Sequence, residues 1–139
     1  MTNSAKEPEI EDLAKFLNKM GAKIEGAGTN LVKITGVRNL RDVGYKVMPD
    51  RIETGTFLCM AAATHGKVRL INTIPEHITP IIHKLQECGC EIELEKNSIK
   101  IDARKNLKAV DIKTMPYPGF PTDMQSIFAS VLSISKGTS

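Results

Sequence analysis

Apolar positions along the 139-residue chain alternate between helical and strand spacing several times. Over Pro8–Met20, Ile10, Leu13, Phe16 and Leu17 fall on one helical face, and Gly21 stops the helix. Lys23–Glu25 and Leu31–Thr35 read as short strands around a Gly-Thr-Asn turn, and Tyr45–Met48 as a third. A helix is predicted over Asp50–His65, opened by Asp50-x-x-Glu53 as a capping box and closed by Gly66. Val68, Leu70 and Ile71 mark a strand. Pro75–Cys88 reads as a helix with a proline near its start and Gly89 past its end. Glu91–Glu95 and Ser98–Asp102 make a hairpin across Lys96-Asn97, and Val110–Lys113 is another strand. The last helix is predicted over Thr122–Lys136, with Thr122-x-x-Gln125 as capping box and Gly137 as stop.

This order repeats. Leu17-Asn-Lys-Met-Gly21-Ala-Lys-Ile24-Glu25 matches Leu85-Gln-Glu-Cys-Gly89-Cys-Glu-Ile92-Glu93. Val32-Lys33-Ile34 then pairs with Ile99-Lys100-Ile101, Asn39-Leu40 with Asn106-Leu107, and Met48-Pro49 with Met115-Pro116. Past an insertion, Phe57 and Gly66 pair with Phe128 and Gly137. One supersecondary unit is being reused. Residues 44–103 supply a full β-α-β-α-β-β string, with only α-β-β before it and only β-α after it. The expected class is α/β (α+β) with right-handed crossovers, and the chain reads as a piece of a longer protein. An unfinished sheet has an unpaired edge, so limited stability or self-association is expected.

Composition narrows the classes. The chain is 41% hydrophobic and 25% charged, which excludes collagen-like, low-complexity and disordered chains. The longest apolar run, Phe57–Ala63, is far too short to cross a membrane, and the polar first residues lack a secretory signal core. A cytoplasmic location is expected, with no membrane partner. The formal charge is only +3 and the aromatics are four Phe and two Tyr, which argues against nucleic-acid binding. Cys59, Cys88 and Cys90 are an odd set without disulfide or zinc spacing, and are expected to be reduced. His65, His77 and His83 are too dispersed to form a ligand set. No phosphate loop or hydrolase motif is present, and no cofactor or metal is expected.

Two segments carry candidate chemistry. In Pro49-Asp50-Arg51-Ile52-Glu53-Thr54-Gly55-Thr56, charged and polar residues crowd a strand-to-helix turn. Asp50 can serve simply as a cap, or the turn can face a ligand. Gly55 inside a helix costs about 1 kcal/mol against Ala, so close packing or ligand approach is expected there. In Met115-Pro-Tyr-Pro-Gly-Phe-Pro-Thr122-Asp123-Met124-Gln125, three prolines and a glycine stiffen a loop that ends at a helix start. There Thr122 can cap and Asp123 can complement the helix dipole. Alternatively, Asp123 is a rigidly aimed carboxylate that accepts a proton from a substrate hydroxyl.

These two segments, with Lys6-Glu-Pro-Glu-Ile10 and Leu17–Ile24, closely resemble the signatures of the UDP-N-acetylglucosamine 1-carboxyvinyltransferase (enolpyruvyl transferase) family. The resemblance runs from about Asn3 to the end. It implies two domains, each an inside-out α/β barrel of three β-α-β-α-β-β units, with substrates in the cleft between them. It implies transfer of the enolpyruvyl group of phosphoenolpyruvate to the 3-hydroxyl of UDP-N-acetylglucosamine with release of phosphate, the first committed step of peptidoglycan precursor synthesis. On that resemblance, residues 1–47 would end one domain and 48–139 begin the second. Asp123 matches the proposed general base at the sugar 3-hydroxyl, Thr122 its neighbour at the nucleotide-sugar site, and Arg51 a cleft arginine. The family's reactive cysteine lies in a Gly-Gly-Cys loop that this sequence lacks, and its phosphate-binding cations are also absent. The chain alone is therefore expected to be inactive. A competing expectation is a non-catalytic binding module that keeps the fold.

Overall fold

The computed structural model describes all 139 residues, Met1–Ser139, which divide into two compact units, Met1–Met48 and Pro49–Ser139. In the first unit, helix α1 (Pro8–Lys19) leads into the antiparallel pair β1 (Lys23–Glu25) and β2 (Lys33–Thr35). The helix begins on Pro8, whose missing N–H is one the first turn could not use anyway. It buries only Pro8 and Ala14, while Leu13, expected on the apolar face, is 52% exposed. The segment expected to form a strand over Tyr45–Met48 joins no ladder. It lies along α1 instead: the Tyr45 hydroxyl donates to Asp12 Oδ1 at 2.8 Å, the Tyr45 ring sits 5.1 Å from Phe16, and Lys19 donates to the Gly44 carbonyl at 2.7 Å.

In the second unit, helix α2 (Arg51–Ala63) leads to strand β3 (Lys67–Ile71). A 3-10 turn over Pro75–Ile78 then passes into helix α3 (Thr79–Glu87). The single helix expected over Pro75–Cys88 is thus broken, because Pro80 has no N–H to continue a ladder begun at Pro75. The hairpin β4 (Glu91–Glu95) and β5 (Ser98–Asp102) has the expected register, Glu95 opposite Ser98. The sheet order is β3-β5-β4 with β5 antiparallel to both, so β3 and β4 run parallel on either side of it, joined through α3. Val110–Lys113, expected as a strand, forms none. Isolated bridges flank it, Lys108 to Lys136 and Thr114 to Phe120, and Val110 and Ile112 pack onto the core without a ladder. The last helix, α4 (Gln125–Ser133), starts later than expected, after a 3-10 turn over Thr122–Met124, and ends before Gly137.

The repeat extends to single hydrogen bonds. Gly21 and Gly89 have φ of +108° and +101°, a left-handed conformation that a side chain disfavours. Around the first, Gly21 N–H donates to Asn18 and Ala22 N–H to Leu17; around the second, Gly89 donates to Gln86 and Cys90 to Leu85. Both are Schellman caps. The carbonyl at each helix end then accepts from a later residue, Met20 from Arg41 and Cys88 from Lys108. Helix α2 closes the same way, but with His65 (φ +49°) as its left-handed residue, while Gly66 N–H donates to the Ala61 carbonyl.

The core lies in the second unit, where Leu58, Ile78, Ile81, Leu85, Ile99, Ile101, Met124, Phe128 and Val131 are fully buried. Val68, Leu70, Ile99, Ile101 and Ile92 face it from the sheet, as period-2 alternation requires. The opposite face is ionic. Glu95 pairs with Arg69 at 2.6 Å and Lys100 at 3.0 Å, Asp102 with Arg104 at 2.6 Å and Lys67 at 3.3 Å. No helix of either unit is long and apolar enough to cross a membrane.

The Lys100 ammonium and the Ser98 hydroxyl hold the Glu95 carboxyl down at about 2. Arg104 likewise holds Asp102 well below the usual carboxylate range. Both groups are more acidic folded than unfolded. The stability they contribute is therefore complete above their ordinary values, 4.5 for Glu95 and 3.8 for Asp102, and is lost as the pH falls, for Glu95 toward about 2 and for Asp102 lower still. The denaturant midpoint is expected to drop across that window. Lys100→Gln should flatten the drop, and salt should shrink it because the pairs are exposed. Equal pH slopes for the variant and the parent would contradict this assignment.

Candidate functional site

The first candidate segment opens α2. Asp50 caps the helix as expected: its Oδ1 accepts from the Ile52 and Glu53 amides at 2.7 and 3.1 Å. Glu53 stays exposed and returns no bond, so the cap is one-sided rather than a full box. The next residue, Arg51, is only 8% exposed. Its guanidinium carbon lies 5.6 Å from the centre of the Tyr117 ring, within cation–π range.

The second candidate segment closes on itself. Met115 N–H donates to the Phe120 carbonyl at 2.9 Å, and Gly119 N–H to Pro116 at 2.8 Å. A side chain at Gly119 would stand 2.5 Å from Met115 Cβ, so only glycine fits. Phe120 is buried and meets Phe128 edge-on at 5.5 Å. Phe128 therefore sits in the core, whereas its repeat partner Phe57 is 41% exposed and has no inserted loop to pack on.

Thr122 and Asp123 follow at once. The expected Thr122–Gln125 capping box does not form. Pro121 occupies the cap position of a 3-10 turn, which has no side-chain cap bond, and α4 begins only at Gln125. A 3-10 start moves the amides away from the spacing an α-helical box needs. Both side chains are exposed at the mouth of the turn. Met124, the next residue, is fully buried against α2: a Cβ on Gly55 would meet Met124 Sδ and Cε and Ile81 Cδ1, each at 3.0 Å. Gly55 is thus explained by close packing, which sets the turn bearing Asp123 against α2. An open groove of about 600 Å³ runs along the other side of the loop, between α3 and Tyr117, Pro118 and Phe120.

The sequence reading singled out Arg51, Thr122 and Asp123. Their segments meet in one unit, Arg51 through Tyr117 and Asp123 through Met124. Tyr117 itself was missed. The available signal was an aromatic side chain between two prolines in a rigid insertion, which needs something to pack on. No group of three or more His, Cys, Asp or Glu is placed to hold a metal ion.

The cysteines are chemically quiet. All three are free and buried. Burial pushes the Cys59 thiol up to about 12 and those of Cys88 and Cys90 to about 11.

The crystal structure of the enolpyruvyl transferase NikO from Streptomyces tendae matches with a TM-score of 0.80 at 23% identity, over 98% of this chain and 33% of that one. The fold is that of the enolpyruvyl transferases. The sequence profile described as EPSP synthase (3-phosphoshikimate 1-carboxyvinyltransferase) matches residues 1–139, and the chain belongs to that family. Among curated relatives, it is 56% identical over 138 residues to UDP-N-acetylglucosamine 1-carboxyvinyltransferase 2 of Caldanaerobacter subterraneus subsp. tengcongensis. It is 53% identical over 139 residues to UDP-N-acetylglucosamine 1-carboxyvinyltransferase 2 of Prochlorococcus marinus, and 50% over 139 residues to UDP-N-acetylglucosamine 1-carboxyvinyltransferase of Finegoldia magna. These matches cover at least 99% of this chain and 33% of each relative, so the chain spans about a third of their length.

Two measurements check this account. Gly55→Val should lower stability by about 1–3 kcal/mol through overpacking against Met124 and Ile81, read from the denaturant midpoint. A midpoint equal to the parent's would mean that the contact is slack. A thiol reagent at mildly alkaline pH should label none of the three cysteines of the folded chain and all of them in denaturant.

Proposed function

We propose that this chain supplies part of the substrate cleft of a UDP-N-acetylglucosamine 1-carboxyvinyltransferase. The observation that carries the reading is identity of 50–56% along the whole chain with enzymes of that name. The exposed Asp123 at the end of a fastened loop agrees with it. In this reading residues 1–47 belong to one domain of the enzyme and 48–139 to the other, with UDP-N-acetylglucosamine and phosphoenolpyruvate as substrates. The same reading puts the enzyme in the cytoplasm, in peptidoglycan precursor synthesis.

Asp123 acts as general base. It takes the proton of the sugar 3-hydroxyl as that oxygen bonds to C2 of phosphoenolpyruvate, while C3 gains a proton. Loss of a proton from C3 and cleavage of the C2–O bond then release phosphate and restore the double bond. Thr122 offers a hydroxyl to the nucleotide sugar, and Arg51 a cation to an anionic substrate group. The acid that protonates C3 is not one of these cysteines, whose thiols are buried and poorly acidic. The 139-residue chain alone is therefore expected not to turn the substrates over.

The test is phosphate release by the full-length polypeptide that carries this sequence. Asp123→Asn should cut kcat about 10²–10⁴-fold with UDP-N-acetylglucosamine binding nearly unchanged. Turnover by the variant at the parent's rate would remove Asp123 from the mechanism, and no turnover by the parent would remove the transferase reading.

A further inference from the structure

Met124 directly follows Asp123 and is fully buried. Its Sδ and Cε fill the space that a side chain on Gly55 would need, 3.0 Å from the Cβ position, and Ile81 Cδ1 stands at the same distance. Gly55 lies inside α2 and its backbone is not left-handed, so conformation does not demand a glycine there. Nor does the repeat. Phe57 and Gly66 pair with Phe128 and Gly137, which pairs Gly55 with Ser126, an exposed residue of α4. A glycine inside a helix also lowers stability relative to alanine. The chain gives up that stability in the one copy on which the proline-rich loop rests.

We propose that Gly55 and Met124 are positioning residues for Asp123: their close approach fixes where the carboxylate stands. This rests on the transferase reading above. Asp123 sits in a single 3-10 turn, Thr122–Met124, whose Met124 N–H donates to the Pro121 carbonyl at 3.1 Å. Phe120 anchors the near side of this turn on Phe128, and Met124 anchors the far side on α2. A methyl group on Gly55 would require its neighbours to give by a few tenths of an ångström. Met124 is enclosed on all sides and has no free space to swing into, so the push passes to the turn. Asp123 is one peptide plane away and moves with it. A packed core absorbs such a shift, whereas proton transfer depends on the alignment of the reacting atoms.

The experiment uses Gly55→Ala, Met124→Val and the double variant. In the 139-residue chain, the Asp123 amide resonance should move in Gly55→Ala. It should return in the double variant, because valine ends short of the Sδ and Cε positions. In the full-length transferase, each single substitution should cut kcat about 10-fold, one by pushing the turn and the other by loosening it. KM for UDP-N-acetylglucosamine should stay within about twofold of the parent. The double variant should recover kcat to within about threefold of the parent. In the Asp123→Asn enzyme, Gly55→Ala should change kcat less than about twofold, since the carboxylate it positions is gone. A contact that merely holds the fold would lower kcat by the same factor in both backgrounds. An unmoved Asp123 resonance in Gly55→Ala, an unrepaired kcat in the double variant, or equal losses with and without the carboxylate overturns the proposal. Should Gly55→Ala fail to fold, Met124→Val goes through the same two backgrounds, and equal losses there overturn it as well. If the unsubstituted enzyme shows no enolpyruvyl transfer, the transferase reading has failed, and the resonance comparison alone decides whether the contact positions Asp123.

Discussion

Everything distinctive about the second unit depends on two elements coming closer than side chains normally permit. At Gly55 the surface of α2 is bare backbone, and Met124 and Ile81 fill the space a Cβ would take. This approach costs helix propensity at Gly55 and gains a fully buried Met124. It also sets the spatial relation of the two candidate segments, since Arg51 lies one helical turn before Gly55 and Asp123 one residue before Met124. A rigid proline-rich loop alone would fix Asp123 only relative to its own base. The contact with α2 fixes it relative to Arg51 as well.

The fold was legible wherever a local rule and the tertiary arrangement agreed. α1, α2, β3 and the β4–β5 hairpin follow from periodicity and caps, and the Gly21 and Gly89 stops have the left-handed backbone such stops require. Reading failed where an extended apolar segment found another partner. Tyr45–Met48 has strand composition, but its tyrosine binds Asp12 on α1. Val110–Lys113 buries its apolar side chains without a neighbouring strand. It failed again where a proline redirected a helix, at Pro80 and at Pro121. Periodicity records which residues are apolar and not which backbone lies alongside.

The candidate site was legible to a different depth. Asp123 stood out because a stiff loop ends on it, and the loop proved to be stapled by its own backbone. Arg51 stood out only through resemblance. Its burial and its aromatic partner come from a contact between residues far apart in sequence, which no spacing rule encodes. The cysteines show the converse. Their sequence context gave no active motif, and burial in the unit's core makes them unreactive side chains.

The paired helix-end bonds bear on how such a chain could arise. The carbonyls of Met20 and Cys88 are each met by a backbone amide from far downstream, Arg41 and Lys108. The closure uses no side chain beyond the glycine that turns the corner. A duplicated copy therefore inherits its shape from the main chain, and its side chains are free to drift toward separate tasks. That is why Met20 and Cys88, or Arg41 and Lys108, can differ between the copies while the geometry stays the same. Divergence of function after duplication is cheap in such an architecture, because the frame is held by atoms that substitution cannot alter.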